Sequence, residues 1–181
     1  MKDALGISYT TIRRWYGRLR AHLPSDDQSE LLVDLTEMDE SFSGKQKYNN
    51  QRIVIGAIEP KTRKIKLQII TNRETETFEA FTEASIAPGA VVMTDKHPSY
   101  NDLSSMGYSH YAFNHSEGEY THTNQIEGLW GVIKRYMRKL YGCVPTKHLQ
   151  SILDEWTARQ NRPSLFTNPE NYLDACLFRI S

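Results

Sequence analysis

Cysteine is nearly absent: Cys143 and Cys176 are the only two in 181 residues. Two cysteines so far apart cannot supply a four-ligand zinc site alone, and they give no disulfide framework. A reducing, cytoplasmic setting is the simplest reading. Long hydrophobic runs are missing as well. No segment approaches the ~20 apolar residues of a membrane span, and the residues after Met1 alternate polar and apolar with no signal-peptide core. There is no internal repeat and no low-complexity tract. An excess of one charge is also lacking. The 22 basic residues balance 22 acidic ones, so the average does not nominate a polyanionic partner, since duplex DNA favours basic faces. What remains is a chain with room for one ordinary globular domain plus a small appendage.

The neutral average hides an uneven distribution. Arg13, Arg14, Arg18 and Arg20 crowd the N-terminus, and Lys134, Arg135, Arg138 and Lys139 crowd one later segment. Between them lie Asp26, Asp27, Glu30, Asp34, Glu37, Asp39 and Glu40. Carboxylates gathered near a strand can hold metal ions, and those ions restore positive charge where a phosphate must dock.

Residues 1–24 read as part of a helix-turn-helix. Gly6 can supply the positive φ of the turn, Ser8 can cap a helix, and Ile12, Trp15 and Leu19 share one face. The first helix of such a unit should precede Leu5, so the expectation is a DNA-binding module truncated at its front. The bland alternative is a basic amphipathic helix packed on the main domain. Residues 25–30 form a polar linker after Pro24.

The main domain spans residues 31–181. Strands are expected over Leu31–Asp39, Arg52–Ile58 and Lys64–Ile70, where aliphatic and β-branched residues concentrate. Helical spacing of Phe78 and Phe81 marks Glu74–Ile86, and Pro88-Gly89 breaks it. A buried strand, Ala90–Thr94, then ends at Asp95; a short helix at Tyr100–Met106 and a strand at Tyr108–Asn114 follow. Two long helices, Asn124–Tyr141 and Thr146–Gln160, close the order. That sequence of elements fits a mixed α/β sheet of the RNase H-like type.

In such a sheet the first and fourth strands are neighbours, so Asp39 and Asp95 should meet at their ends. Glu127 opens a helix that can carry a third carboxylate across the sheet. Like charges that close repel unless cations compensate, and two Mg²⁺ ions roughly 3.5–4 Å apart would serve both oxygens of a phosphodiester displacement. Along that helix Ile126, Leu129, Trp130, Ile133, Met137 and Leu140 form one apolar stripe, with Glu127, Lys134 and Arg138 along its border. Taken alone, this could be an ordinary amphipathic helix with a solvated Glu and Lys. Trp130, Trp156 and Tyr100 read as core residues, and Glu37 and Glu40 as solvated flanks or partners of Asp39. His97, His115 and His122 could shuttle protons, touch DNA or serve as structural hydrogen-bonding groups.

Three ordered blocks carry a family resemblance: Glu37-Met38-Asp39-Glu40-Ser41 followed by Gly44; Thr94-Asp95 with His97 and Tyr100; and Thr121-His122-Thr123-Asn124 leading to Ile126-Glu127-Gly128, Trp130 and Lys134. Together with Glu155-Trp156 and Asn161-Arg162, they resemble insertion-sequence DDE transposases of the ISXO2-like group. Full-length members of that group usually carry an N-terminal zinc ribbon, which this sequence does not show. The resemblance implies an RNase H-like catalytic domain in which Asp39 and Asp95 ligate Mg²⁺ or Mn²⁺, two ions in all. It leaves Glu127 or Asn124 as the third ligand. Glu127 is favoured, because an anionic oxygen suits a hard divalent ion better than an amide. Lys134 would contact DNA phosphate, with Arg138, Arg13, Arg14 and Arg18 as further DNA contacts. The implied partners are element-end and target DNA, with a homodimer or larger assembly forming on it. The rival readings are an inactive DNA-binding relic or regulator of a full-length transposase, and an RNase H-like nuclease or resolvase.

Overall fold

Residues 6–23, 30–113, 124–142 and 144–177 are described by the structure, a computed structural model. Its centre is a five-stranded mixed sheet of order β3-β2-β1-β4-β5. The first three strands, β1 (Thr36–Ser43), β2 (Arg52–Ile58) and β3 (Ile65–Ile70), form an antiparallel meander. Strands β4 (Val91–Asp95) and β5 (Ser109–Phe113) then add in parallel beyond β1. A mixed sheet of this order is what the element pattern predicts. The expected first strand over Leu31–Asp39 is corrected, however. Pairing with β2 holds every residue from Glu37 to Ser43, whereas Leu32 makes one isolated parallel bridge, to Ile86. Asp39 therefore lies in the middle of β1 and not at its end.

Side-chain alternation splits the strands between two cores. On one face Met38, Ile55, Ala57, Ile70 and Val92 pack with Phe78 and Phe81 of α2 (Thr75–Ser85). Tyr100 and Leu103, from a 3₁₀ helix at Pro98–Ser104, complete that layer. Burying one such large side chain contributes about 1.5–3 kcal/mol. On the other face Val54, Ile58, Ile65 and Leu67 meet α3 (Asn124–Tyr141) and α4 (Thr146–Asn161). The α3 stripe is buried at Ile126, Leu129, Trp130 and Ile133 and half-buried at Met137; at Leu140 the helix has run past the sheet and the side chain is exposed. A further helix that the sequence pattern does not announce, α5 (Pro169–Leu177), follows a 3₁₀ turn. No helix among the described residues is long and apolar enough to cross a membrane.

The N-terminal helix, α1 (Tyr9–Ala21), starts where the sequence predicts. Gly6 has φ 62°, and the Ser8 hydroxyl accepts the Thr11 N–H at 3.1 Å. It buries none of its own residues and is attached through a polar latch. Glu155 of α4, 1% exposed, accepts from Arg20 Nε at 2.8 Å and from Arg159 Nη2 at 2.8 Å. The Tyr16 hydroxyl donates to the same carboxylate at 2.8 Å, and Arg20 Nη2 also reaches the Tyr141 hydroxyl at 2.8 Å. Two guanidinium groups and a phenol thus compensate one buried carboxylate, so removing it strands buried charge. Glu155→Ala should cost about 3–5 kcal/mol in urea unfolding; a loss below about 1 kcal/mol would show that the latch is no more than a surface ion pair.

Candidate active site

The parallel register between β1 and β4 pairs Glu37 with Met93. Two residues beyond that pair on each strand come Asp39 and Asp95. Strand alternation puts both carboxylates on the face of Glu37 and Met93, where both are half-buried and the charge of Asp95 acts on Asp39. Asp95 is steadied by the backbone N–H of His97, which donates to its Oδ1 at 3.1 Å. Asp39 receives the indole Nε1–H of Trp130 on Oδ2 at 3.0 Å. Burial, followed by the negative charge of adjacent Glu40, pushes the Asp39 carboxyl up to about 6, and the charge of Asp95 adds to the rise. The backbone N–H of Glu40 and the Trp130 indole oppose it without cancelling it.

Helix α3 is tied to β1 at successive levels. Glu37, two residues before Asp39 and on the same face, accepts the backbone N–H groups of Gln125 at 2.9 Å and Ile126 at 3.0 Å on its Oε2. These are orphan donors of the first helical turn, and the positive end of the helix dipole favours a carboxylate there. One turn on, Trp130 reaches Asp39. Beyond it Lys134, exposed at the helix border, edges a shallow groove shared with Ser41, Ser43 and Met137. The helix therefore runs along β1 in the strand's own direction.

Asn124 and Glu127 both lie in the exposed first turn of α3. The charge of Glu127 is felt at Glu37, whose carboxyl burial drives upward against the opposing Ile126 and Gln125 N–H groups. Among the described residues no three acidic, His or Cys side chains gather closely enough to hold one ion. The structure thus brings Asp39 and Asp95 together and leaves Glu127 on the neighbouring turn, beside Glu37. Arg138 is exposed further along α3. Arg13, Arg14 and Arg18 are exposed on α1, with the Arg18 guanidinium 5.3 Å from the Trp15 ring centre.

The remaining sequence candidates resolve into supporting roles. Glu40, on the opposite face of β1, is not solvated: it pairs with Arg73 and accepts the Tyr100 hydroxyl at 2.9 Å. Tyr100 is fully buried. His97 packs by its ring against Phe78 and Tyr100, and its Nδ1 accepts the Ser99 N–H at 3.3 Å. His115 and His122 lie outside the described residues, as do Leu5 and residues 24–29. Sequence reasoning missed Glu37 as the clasp of α3, although its i, i+2 relation to Asp39 places both on one face. It also missed Gly56, the direct cross-strand partner of Asp39. A glycine inside a strand marks a site of close approach, and here a Cβ would lie 2.6 Å from the Trp130 ring.

The architecture is that of the RNase H-like integrase cores. The catalytic core domain of HTLV-2 integrase, solved in complex with magnesium in a trimeric form, aligns with TM-score 0.50 and 13% identity over 81% of this chain and 97% of that one. The catalytic core domain of BIV integrase aligns with TM-score 0.50 and 12% identity over 81% and 98%. Identities this low speak for the fold alone. No curated protein sequence matches the chain. The family model described as the ISXO2-like transposase domain matches residues 34–161. The chain belongs to that family.

Oxygen-only donors on two adjacent carboxylates suit a hard divalent cation such as Mg²⁺ better than a soft one. The protein partners of Asp39 named above are neutral N–H donors, which do not offset the rise that burial and the charges of Glu40 and Asp95 produce. A carboxyl raised in the folded state contributes stability that is full below about pH 4 and lost as pH rises through about 6. In metal-free buffer Asp39→Asn should therefore stabilise the protein at pH 7.5 by on the order of 2 kcal/mol. The gain should vanish below about pH 4. Equal denaturation midpoints for the two proteins at pH 7.5 would contradict this.

Proposed function

We propose that this chain is a transposase that cuts DNA and transfers strands of an insertion sequence with the help of divalent metal ions. The observation that carries the reading is the nearness of Asp39 and Asp95 on adjacent parallel strands, in a domain of the transposase family. Asp39 and Asp95 would hold Mg²⁺ or Mn²⁺, with Glu127 preferred over Asn124 as the third ligand and two ions in all. Bound divalent ions supply Lewis acidity and positive charge against the phosphodiester.

The chain's own residues would do the rest. Asp39 and Asp95 fix the reacting centre on a rigid sheet, which favours an aligned in-line attack. Water would first cut the element end, and the freed 3′-hydroxyl would then attack target DNA, with no covalent enzyme intermediate. Lys134 sits two turns beyond Glu127 on α3, where its ammonium can take a backbone phosphate, and Arg138 extends the same edge. Arg13, Arg14 and Arg18, exposed on α1, would present a second basic face to DNA. Bringing two element ends together calls for a dimer or larger assembly on DNA.

Purified protein with Mg²⁺ or Mn²⁺ and end-containing DNA should yield nicks and joined products. Asp39→Ala and Asp95→Ala should each abolish both, while Glu127→Gln should cost far more activity than Asn124→Ala. Activity surviving in the two aspartate variants would refute the assignment. Salt-dependent DNA binding without cleavage under any divalent ion would favour an inactive relic or regulator, and cleavage of branched or hybrid substrates without joining would favour a nuclease or resolvase. Lys134→Ala should weaken binding evenly across DNA sequences and reduce the salt slope by about one unit; an unchanged slope would remove Lys134 from the DNA path.

A further inference from the structure

We infer that Trp130 is a positioning residue for Asp39: its indole N–H fixes the carboxylate so that the free lone pairs are presented to a divalent cation. The inference rests on the reading of Asp39 as a metal ligand and names a residue on which that ligand depends. An ionised carboxylate offers about four lone-pair sites. The Trp130 Nε1–H occupies one of them, on Oδ2 at 3.0 Å, and the Glu40 backbone N–H also bonds to the carboxylate, which leaves about two for an ion. An indole is a donor with no acceptor and no titration of its own. It can therefore hold a carboxylate without competing for the ion or changing charge with pH.

Three features of the structure are arranged around this contact. Gly56, opposite Asp39 in the β1–β2 pair, leaves the floor on which the indole lies; a Cβ there would come within 2.6 Å of Trp130 Cη2 and 2.9 Å of its Cζ2. Leu129, Ile133 and Leu153 belong to the same apolar cluster as Trp130, so the ring, 7% exposed, is held in place before any ligand arrives. Glu37 clasps the start of α3 through the Gln125 and Ile126 N–H groups, which sets the height of Trp130 along β1. A buried indole N–H ordinarily needs a partner, and the one that Trp130 takes is the carboxylate of Asp39. Groups that orient a metal ligand without touching the ion are commonly worth a 10–100-fold change in affinity or activity.

Trp130→Phe removes packing together with the donor and can fail to fold for that reason. The decisive variant replaces Trp130 with 3-benzothienylalanine, which keeps the bicyclic shape and exchanges only the N–H for sulfur. Mn²⁺ affinity is read on the full chain without DNA, by the loss of the free-ion electron paramagnetic resonance signal, beside wild type and Asp39→Asn. The expected result is a near-UV circular dichroism spectrum like wild type, Mn²⁺ affinity lowered roughly 10–100-fold in the benzothienyl protein, and affinity abolished in Asp39→Asn. Wild-type affinity in the benzothienyl protein, with Asp39→Asn defective, would overturn the role of Trp130 while leaving Asp39 a ligand. Wild-type affinity in Asp39→Asn would overturn the metal reading and this inference together.

Discussion

Two carboxylates held side by side on neighbouring parallel strands are the constraint around which this domain is arranged. The parallel neighbours β1 and β4 carry Asp39 and Asp95 on one face, and burial with nearby negative charge makes ionisation of Asp39 costly. A fold organised only for stability would place apolar residues there. The sheet holds the pair rigidly because β1 is central, flanked by β2 on one side and β4 on the other. Its opposite face is fastened as well, through Glu40 to Arg73 and Tyr100. The strand that carries Asp39 is thus pinned from above, below and both edges.

Helix α3 translates that constraint into a layout for chemistry. Its first turn is gripped by Glu37, its second touches Asp39 through Trp130, and Lys134 follows beyond. A helix so fixed carries Asn124 and Glu127 on the same end as the aspartates, yet keeps them in solvent. Bringing a third carboxylate onto two others without a cation would add repulsion and desolvation with nothing to offset them.

Much of this was legible in the sequence because periodicity and punctuation are local. The runs around Ile55 and Leu67, the Phe78/Phe81 spacing, the Pro88-Gly89 break and the stripe of α3 all signal their own elements. The neighbouring placement of the Asp39 and Asp95 strands followed from the order of elements. What failed was decided by partners distant in sequence. The start of β1 shifted to Thr36 because strand extent is set by pairing with β2 and β4 and not by the apolar content of Leu31–Val33. The clasp by Glu37 and the indole bond to Asp39 span 88 to 91 positions of chain, which no spacing rule reaches. Gly56 did leave a signal, a glycine within an aliphatic strand, but its meaning depends on a ring from another helix. Helix α5 is short and mostly solvated, so its apolar pattern is weak.

The most direct test is to locate the ion itself. Crystals of the full chain grown with Mn²⁺ would give an anomalous scattering map. The account predicts a peak within coordination distance, roughly 2.0–2.6 Å, of carboxylate oxygens from both Asp39 and Asp95. Absence of any peak at saturating Mn²⁺, or a peak bound by other residues, would contradict it.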